Sequence, residues 1–376
     1  MSAPRLEIDL GKIQHNARTL VERLARRGIS VTGVTKAALG APEIAQAMLL
    51  AGVSGLGDSR IENIEAMRRA HVSAAMTLIR SPMLSQAKRV VTSVDVSFNT
   101  ELEVIRRLSS EAGKLNRTHA VVLMVELGDL REGIMPDDLM AAVRETLSLP
   151  NIVFKGIGTN LACRSGASPD DANMGELSRL VALVEATFDI SIEIVSGGNS
   201  ANLEWAFSSE HTGRINNLRL GESILLGRET LDRNAIDGLH TDAITLVAEV
   251  IESKLKPTQP SGKLAQTAFG SRPAAPNRGS ITQAILAIGR QDIDPCGLLP
   301  PYGIEILGSS SDHLITTSAI ASAPVGAEMI FELDYSALLR AMTSPFVTKS
   351  FDNNLHSGCS YDDQATHRQY AAHIDQ

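Results

Sequence analysis

Lys36 stands in the run Gly33-Val34-Thr35-Lys36-Ala37, at the end of a β-branched stretch and among apolar neighbours. A lysine so placed is partly desolvated. Desolvation and nearby cations favour the neutral amine, a nucleophile able to condense with an aldehyde. The plainer reading is a chain that snorkels to solvent from a strand end, and position alone favours it. A second run, Ser196-Gly197-Gly198-Asn199-Ser200, is a glycine-rich turn opening a helix. Its backbone N–H groups and the Ser200 hydroxyl could hold a phosphate at the helix start, and an ordinary tight turn is an equal alternative. Arg219 lies in an apolar stretch and is expected to be buried, so it needs either a structural carboxylate or a bound ligand. From this residue alone the carboxylate is the simpler answer. Arg131, within Gly128-Asp129-Leu130-Arg131-Glu132-Gly133, is a site candidate or equally a surface charge. No metal site is expected: His356 and Cys359 are loosely spaced in a polar tail.

The elements that must carry these residues alternate in texture. Strand-like runs occur at Ser30–Thr35, Val53–Gly57, Met76–Ile79, Val94–Phe98, Ala120–Leu127, Ile152–Asn160, Ile190–Val195 and Asn217–Ser223. Helical material follows each. Pro42 and Gly52 punctuate one helix in the expected order. Ser59 with Glu62, and Thr100 with Glu103, have capping-box spacing. Asp9 is expected to cap a helix ahead of the first run, with Gly28 as its stop. Eight such units predict an α/β fold, a parallel (β/α)₈ TIM barrel. Active residues of that fold project from the carboxyl ends of strands. Those positions hold Lys36, Asp58 to Arg60, Arg80, Asn99, Arg131, Asn160, the Ser196–Ser200 turn, and Arg219 with Gly221.

After about residue 235 the texture changes. Thr241–Ile251, Ile281–Ile288, Gly303–Leu307, His313–Thr317 and Glu328–Leu333 read as strands joined by Pro/Gly/Ser-rich turns. A mostly antiparallel second domain is expected. The division is 1–235 for the barrel, 236–351 for the β domain, and 352–376 for a polar tail, partly disordered or lying on the surface.

The 376 residues are 43% hydrophobic and 21% charged, enough for a sizeable core. A net charge of −8 with 3% aromatics gives no basic stripe or stacking platform, so no nucleic-acid partner is expected. The three widely spaced cysteines, Cys163, Cys296 and Cys359, fit a reducing, cytoplasmic setting. The amino terminus has no apolar signal core. The most apolar stretch, Ile44–Leu56, is too short to span a bilayer, so no membrane partner is expected.

Taken together the chain resembles the pyridoxal 5'-phosphate enzymes of the alanine racemase fold, also called fold type III. Thr35-Lys36-Ala37 is similar to the cofactor-lysine motif. Ser196–Ser200 is similar to the phosphate turn. Leu218-Arg219-Leu220-Gly221-Glu222, followed by Leu226-Gly227-Arg228, is similar to the strand-eight motif whose arginine faces the pyridine nitrogen. The closest likeness is to the alanine/ornithine racemase-like branch. It rests on Gly57–Asn63, Ile288-Gly289-Arg290-Gln291-Asp292, Ser309–Leu314 and Ala341–Pro345, and it reaches to about Phe351.

The resemblance implies an amino-acid racemase. Lys36 would hold the cofactor, then exchange the Cα proton of an external aldimine. Ser196, Gly197, Asn199, Ser200 and Gly221 would form the phosphate and cofactor cradle with Asn160. Arg131 would orient the cofactor's phenolic oxygen or the substrate carboxylate. It also implies a homodimer with its active site at the interface. Departures point away from alanine as substrate. The family's partner-subunit tyrosine base is replaced by Arg290, its orienting histidine by Asn160, and a phosphate-touching tyrosine by Leu39 and Gly40. Asp292, His313 and Tyr335 are the chemically suited second bases, each with a plainer structural reading. A longer or basic side chain such as ornithine's fits these losses, with Arg290, Asp292, Ser311 and Asp312 as substrate candidates. Two alternatives stand beside this. One is a D-threonine-aldolase-like lyase, which resembles the same scaffold and uses a metal. The other is a cofactor-binding homeostasis protein, which resembles a lone barrel without the second domain.

Overall fold

The computed structural model describes residues 2–270, 276–319 and 323–352. A short strand, β1 (Arg5–Asp9), precedes the helix Leu10–Ala25, whose first turn is capped by Asp9 Oδ1 accepting from Lys12 N at 2.9 Å. The barrel follows as β2 (Ser30–Val34), β3 (Gly55–Asp58), β4 (Met76–Leu78), β5 (Val96–Asn99), β6 (His119–Met124), β7 (Ile152–Gly158), β8 (Ile194–Gly198) and β9 (Asn217–Leu220). These eight strands close on one another, all parallel, with β9 pairing back to β2. Their inner face fills with side chains such as Phe98, Val122 and Met124. Their outer face is sealed by helices, so strands such as β3 and β9 are buried at every position.

The eight expected runs are the eight barrel strands, offset by a few residues at their ends. Two capping expectations fail. Helices Ile61–Arg69 and Leu102–Lys114 are preceded by Arg60 and Glu101, neither of which makes a side-chain cap. The helices begin one residue later than the boxes require, with Arg60 and Glu101 rather than Ser59 and Thr100 at the cap position; Asp58 Oδ1 accepts the Arg60 N–H at 2.9 Å, and the Thr100 hydroxyl meets Ser81 Oγ at 3.1 Å. The helix expected after Ser168 begins at Asp171, where Asp170 and Asn173 form a true capping box.

The second sheet holds β10 (Ile244–Pro257), β11 (Ser280–Leu286), β12 (Leu298–Leu299), β13 (Ile304–Ser309), β14 (Leu314–Ser318) and β15 (Glu328–Leu333), in the order β12-β15-β10-β11-β14-β13 and antiparallel throughout. Three strands of this sheet were not anticipated, the short β12 and two more. β1 pairs antiparallel with β10, and β16 (Thr348–Asp352) pairs parallel with β1. The chain's first strand therefore joins the sheet formed by its last third. The helix Tyr335–Thr343 was also unanticipated. Asp334 Oδ1 caps it by accepting from Ala337 N, and it packs against the turn Lys36–Ala38. That contact brings the second domain to the carboxyl end of the barrel. Among the described residues, no helix is long and apolar enough to cross a membrane. Residues 353–376, nearly all of the expected tail, with His356 and Cys359, lie outside the described residues.

Candidate active site

A cavity of about 410 Å³ opens at the carboxyl ends of the barrel strands. Lys36 enters it from the turn after β2. Its Nζ lies 5.4 Å from the centroid of the Tyr335 ring, which the second domain supplies. The turn is fixed from behind. Thr35 is fully buried, its N–H donates to Gly57 O at 3.0 Å, and its hydroxyl donates to Asp58 Oδ2 at 2.8 Å. Asp58, itself fully buried, also accepts from Arg60 N and from Asn63 Nδ2 at 3.0 Å. Burial raises the Asp58 carboxyl above its ordinary pKa, opposed by these hydrogen bonds.

Arg219 projects inward from β9 and is 5% exposed. The carboxylate that its burial seemed to require is absent among the described residues. Its donors go to Ser196 Oγ at 2.5 Å, Thr159 O at 2.8 Å and Asn160 Oδ1 at 3.3 Å. Phe98 lies under its guanidinium at 5.0 Å. Neutral acceptors do not repay the desolvation, and the Arg219 pKa falls to about 10. This uncompensated cation lines the cavity.

The glycine-rich run closes β8 and forms the next wall. Asn199 and Asn202 cap each other's backbone across the short turn Ser200–Asn202. Gly198 has φ +149, and a Cβ there would run into Asn202 Oδ1, so only glycine permits this turn. Ser200 Oγ meets Ser223 Oγ at 2.9 Å and accepts from Ser223 N at 3.2 Å. These contacts bring the start of that turn beside Gly221, where the helix Glu222–Leu226 begins.

Of the residues singled out in the sequence, Lys36, Arg131, Asn160, Asn199, Ser200, Arg219 and Gly221 all line the cavity. Ser196 and Gly197 lie beneath it, Ser196 as the buried partner of Arg219. Arg131 is not a free surface charge. Glu126 builds its loop by accepting from Gly128 N, Leu130 N and Arg131 N, and Arg131 Nε sits 3.3 Å from Glu132 Oε2 and 3.8 Å from Asp129 Oδ2. Arg290, Asp292, Ser311 and Asp312 do not line this chain's cavity. Arg290 donates to Ser309 Oγ at 2.9 Å and stacks over Phe269. Asp292 is buried and accepts from Ser344 Oγ at 2.6 Å. Ser311 donates to Asp312 Oδ2 on an exposed turn of the second domain. Of the three second-base candidates only Tyr335 reaches the cavity, because it begins the helix that packs on the Lys36 turn. Glu222, Glu132, Arg233 and Cys163 line it too and carried no expected role. Burial raises the Glu222 pKa to about 7, although Arg233 pairs with it.

Residues 8–229 match the family model described as alanine racemase, N-terminal domain. A lysine racemase of Thermotoga maritima is 38% identical over 357 residues, which is 94% of this chain and 100% of that protein. An ornithine racemase of Acetoanaerobium sticklandii is 37% identical over 92% of this chain and 99% of that protein. The fold is shared with a solved D-threonine aldolase from Filomicrobium marinum. Its TM-score is 0.72 at 16% identity, covering 91% of this chain and 88% of that one. Barrel, sheet and relatives together define the class, a pyridoxal-phosphate-dependent amino-acid racemase. The chain belongs to the alanine racemase family.

Proposed function

We propose that this cavity holds pyridoxal phosphate and that the protein racemises an amino acid with a longer, basic side chain, ornithine or lysine. The carrying observation is the identity of 38% and 37% over nearly the whole chain to a lysine and an ornithine racemase. The residues present fit the cofactor. A buried guanidinium with no carboxylate partner, Arg219, suits a ring nitrogen that accepts a hydrogen bond. Two helix starts, at Ser200 and Gly221, bound the same cavity and suit a phosphate. Lys36 supplies the amine that bonds the aldehyde carbon. Ser196, Gly197, Asn160 and Asn199 hold Arg219 and the phosphate turn in place. Arg131 would help hold the cofactor from the loop after β6.

When bound, pyridoxal phosphate supplies an electron sink that acidifies the substrate Cα–H. Lys36 would supply the amine that holds the cofactor, and its Nζ would take or deliver the Cα proton on its own side. Tyr335 is the second proton-carrying group in this reading. It is the one chemically suited candidate of the three that shares the cavity with Lys36. Arg219 would donate to the ring nitrogen as a cation with no carboxylate partner among the described residues, a role that would leave that nitrogen as an acceptor. Glu132 and Glu222 are the cavity's carboxylates for a distal ammonium, each beside an arginine, Arg131 and Arg233.

The working unit in this reading is a homodimer in the cytoplasm. Arg290, Ser311 and Asp312 sit on loops of the second domain outside their own chain's cavity, where a second copy can use them. The free thiols of Cys163 and Cys296 suit a reducing compartment. The test is incubation of each enantiomer of ornithine, lysine and alanine in heavy water, followed by chiral chromatography and mass spectrometry. The reading expects both enantiomers of the basic substrates, deuterated at Cα. A preference for alanine overturns the side-chain assignment. Glycine and an aldehyde from β-hydroxy amino acids, without epimerisation, would indicate a lyase.

A further inference from the structure

Every amino-acid substrate brings an α-carboxylate into the cavity, and that anion needs a cation. Five arginines line the cavity. Three of them are committed. Arg219 is spent on Ser196, Thr159 and Asn160. Arg233 is held by Glu222. Arg131 lies against Glu132 and Asp129. The remaining two, Arg60 and Arg80, have side chains without an ion pair or hydrogen bond among the described residues.

These two follow neighbouring strands. β3 and β4 are parallel with Leu56 opposite Met76, Gly57 opposite Thr77, and Asp58 opposite Leu78. Ile79 N also donates to Asp58 O at 3.0 Å. Arg60 and Arg80 each stand two residues past the last of these pairs, and both border the cavity. Their turns are pinned. Asp58 Oδ1 accepts the Arg60 N–H, and Ser81 Oγ meets Thr100 Oγ1 just after Arg80. Two guanidinium groups that border one cavity from neighbouring strand ends, with no carboxylate partner among the described residues, suit an anion bound in that cavity.

We infer that Arg60 and Arg80 form the substrate's α-carboxylate clamp, in place of Arg131. The clamp rests on an amino-acid substrate, but not on which one. It would fix the carboxylate on the β3–β4 side of the cavity while Lys36, on the neighbouring β2 turn, handles Cα. Because the recognised group is common to all amino acids, the clamp contributes binding rather than side-chain selectivity.

The test uses the cofactor-loaded enzyme and the variants Arg60→Gln, Arg80→Gln and Arg131→Gln. Binding is read from the change in cofactor absorption on titration with ornithine and with putrescine, its analogue without the carboxylate. Turnover is followed in parallel. For Arg60→Gln and Arg80→Gln the clamp predicts a rise in KM and in the ornithine dissociation constant of roughly tenfold to a hundredfold, with a smaller change in kcat. Putrescine binding and the cofactor content should stay at wild-type level. Arg131→Gln is the comparison variant: as a group on the cofactor side it should alter cofactor content or absorption, while the ornithine dissociation constant of its cofactor-loaded fraction rises less than in the Arg60 and Arg80 variants. Loss of ornithine affinity in Arg131→Gln alone would overturn the assignment. So would cofactor loss in the Arg60 or Arg80 variants, which would make the pair a phosphate anchor. Dissociation of a dimer in those variants, with ornithine affinity per folded subunit intact, would also overturn it by making them partner contacts. If the wild-type enzyme racemises another amino acid and not ornithine, the titration is run with that substrate and its decarboxylated amine. In that case the side-chain reading fails and the clamp is still tested.

Discussion

Asp58 ties two functional turns to one buried carboxylate, and its removal gives the sharpest mutational test of the site's scaffold. Its Oδ2 accepts from Thr35 Oγ1, directly before Lys36. Its Oδ1 accepts from Arg60 N and Asn63 Nδ2. In Asp58→Ala three donors in or near the protein interior lose their acceptor together. At about 1 kcal/mol for each lost bond, the fold should lose about 3 kcal/mol. Thr35→Val breaks one of the three and should cost about 1 kcal/mol. A double-mutant cycle between the two substitutions should then return a coupling of about 1 kcal/mol, because they share that bond. Urea unfolding at constant pH measures all four corners, with m-values checked for constancy. The functional consequence is larger than the energetic one. Loosening both the Lys36 turn and the Arg60 turn should lower kcat/KM by about a hundredfold, as small misplacements of reacting groups do. Equal unfolding midpoints for wild type and Asp58→Ala, with activity retained, would refute this account of how the strand ends are held.

Two further outcomes follow from single residues. His119 is buried against Ser97 Oγ at 2.7 Å, and burial, aided by Arg117, lowers its pKa from 6.5 to about 4. The neutral ring is the native form, so its contribution is complete above pH 6.5 and declines as pH falls towards 4. The full loss is on the order of 3 kcal/mol. His119→Gln should flatten the pH dependence of stability between pH 6.5 and 4, and an unchanged slope would contradict the burial argument. Tyr335→Phe keeps the ring beside Lys36 and removes only the hydroxyl. If that hydroxyl moves the second proton, kcat should fall by about two orders of magnitude in both directions while cofactor content stays at wild-type level. Undiminished turnover would remove Tyr335 from proton transfer.

The barrel was legible because its signal is local. Each strand is a short apolar run followed by helical spacing, and closure follows from having eight. The site residues were legible for the same reason, since Lys36 and Asn160 stand where a run stops, Ser200 in the turn after the seventh run, and Arg219 inside the eighth. What sequence could not reveal depends on long-range pairing. β1 is five residues with only Leu6 and Ile8 buried, and its partners β10 and β16 lie more than two hundred positions away. Tyr335 reaches Lys36 only because a helix of the second domain packs on the β2 turn, a contact that no local pattern encodes. The capping boxes at Ser59 and Thr100 failed because spacing does not fix where a helix starts, and both helices begin one residue later, after Arg60 and Glu101. The carboxylate expected for Arg219 failed differently. Burial was read correctly, but the acceptors are a serine hydroxyl, a backbone carbonyl and an amide, none with a sequence signature. That Arg60 and Arg80 border one cavity follows once β3 and β4 are known to be neighbours, and it is invisible before that.

The measurement that bears most directly on the central claim is borohydride reduction of the purified holoenzyme, followed by proteolysis and peptide mass mapping. The account predicts a single pyridoxyl-phosphate adduct on Lys36 and no adduct in Lys36→Ala. An adduct on another lysine, or trapping undiminished in Lys36→Ala, would contradict it.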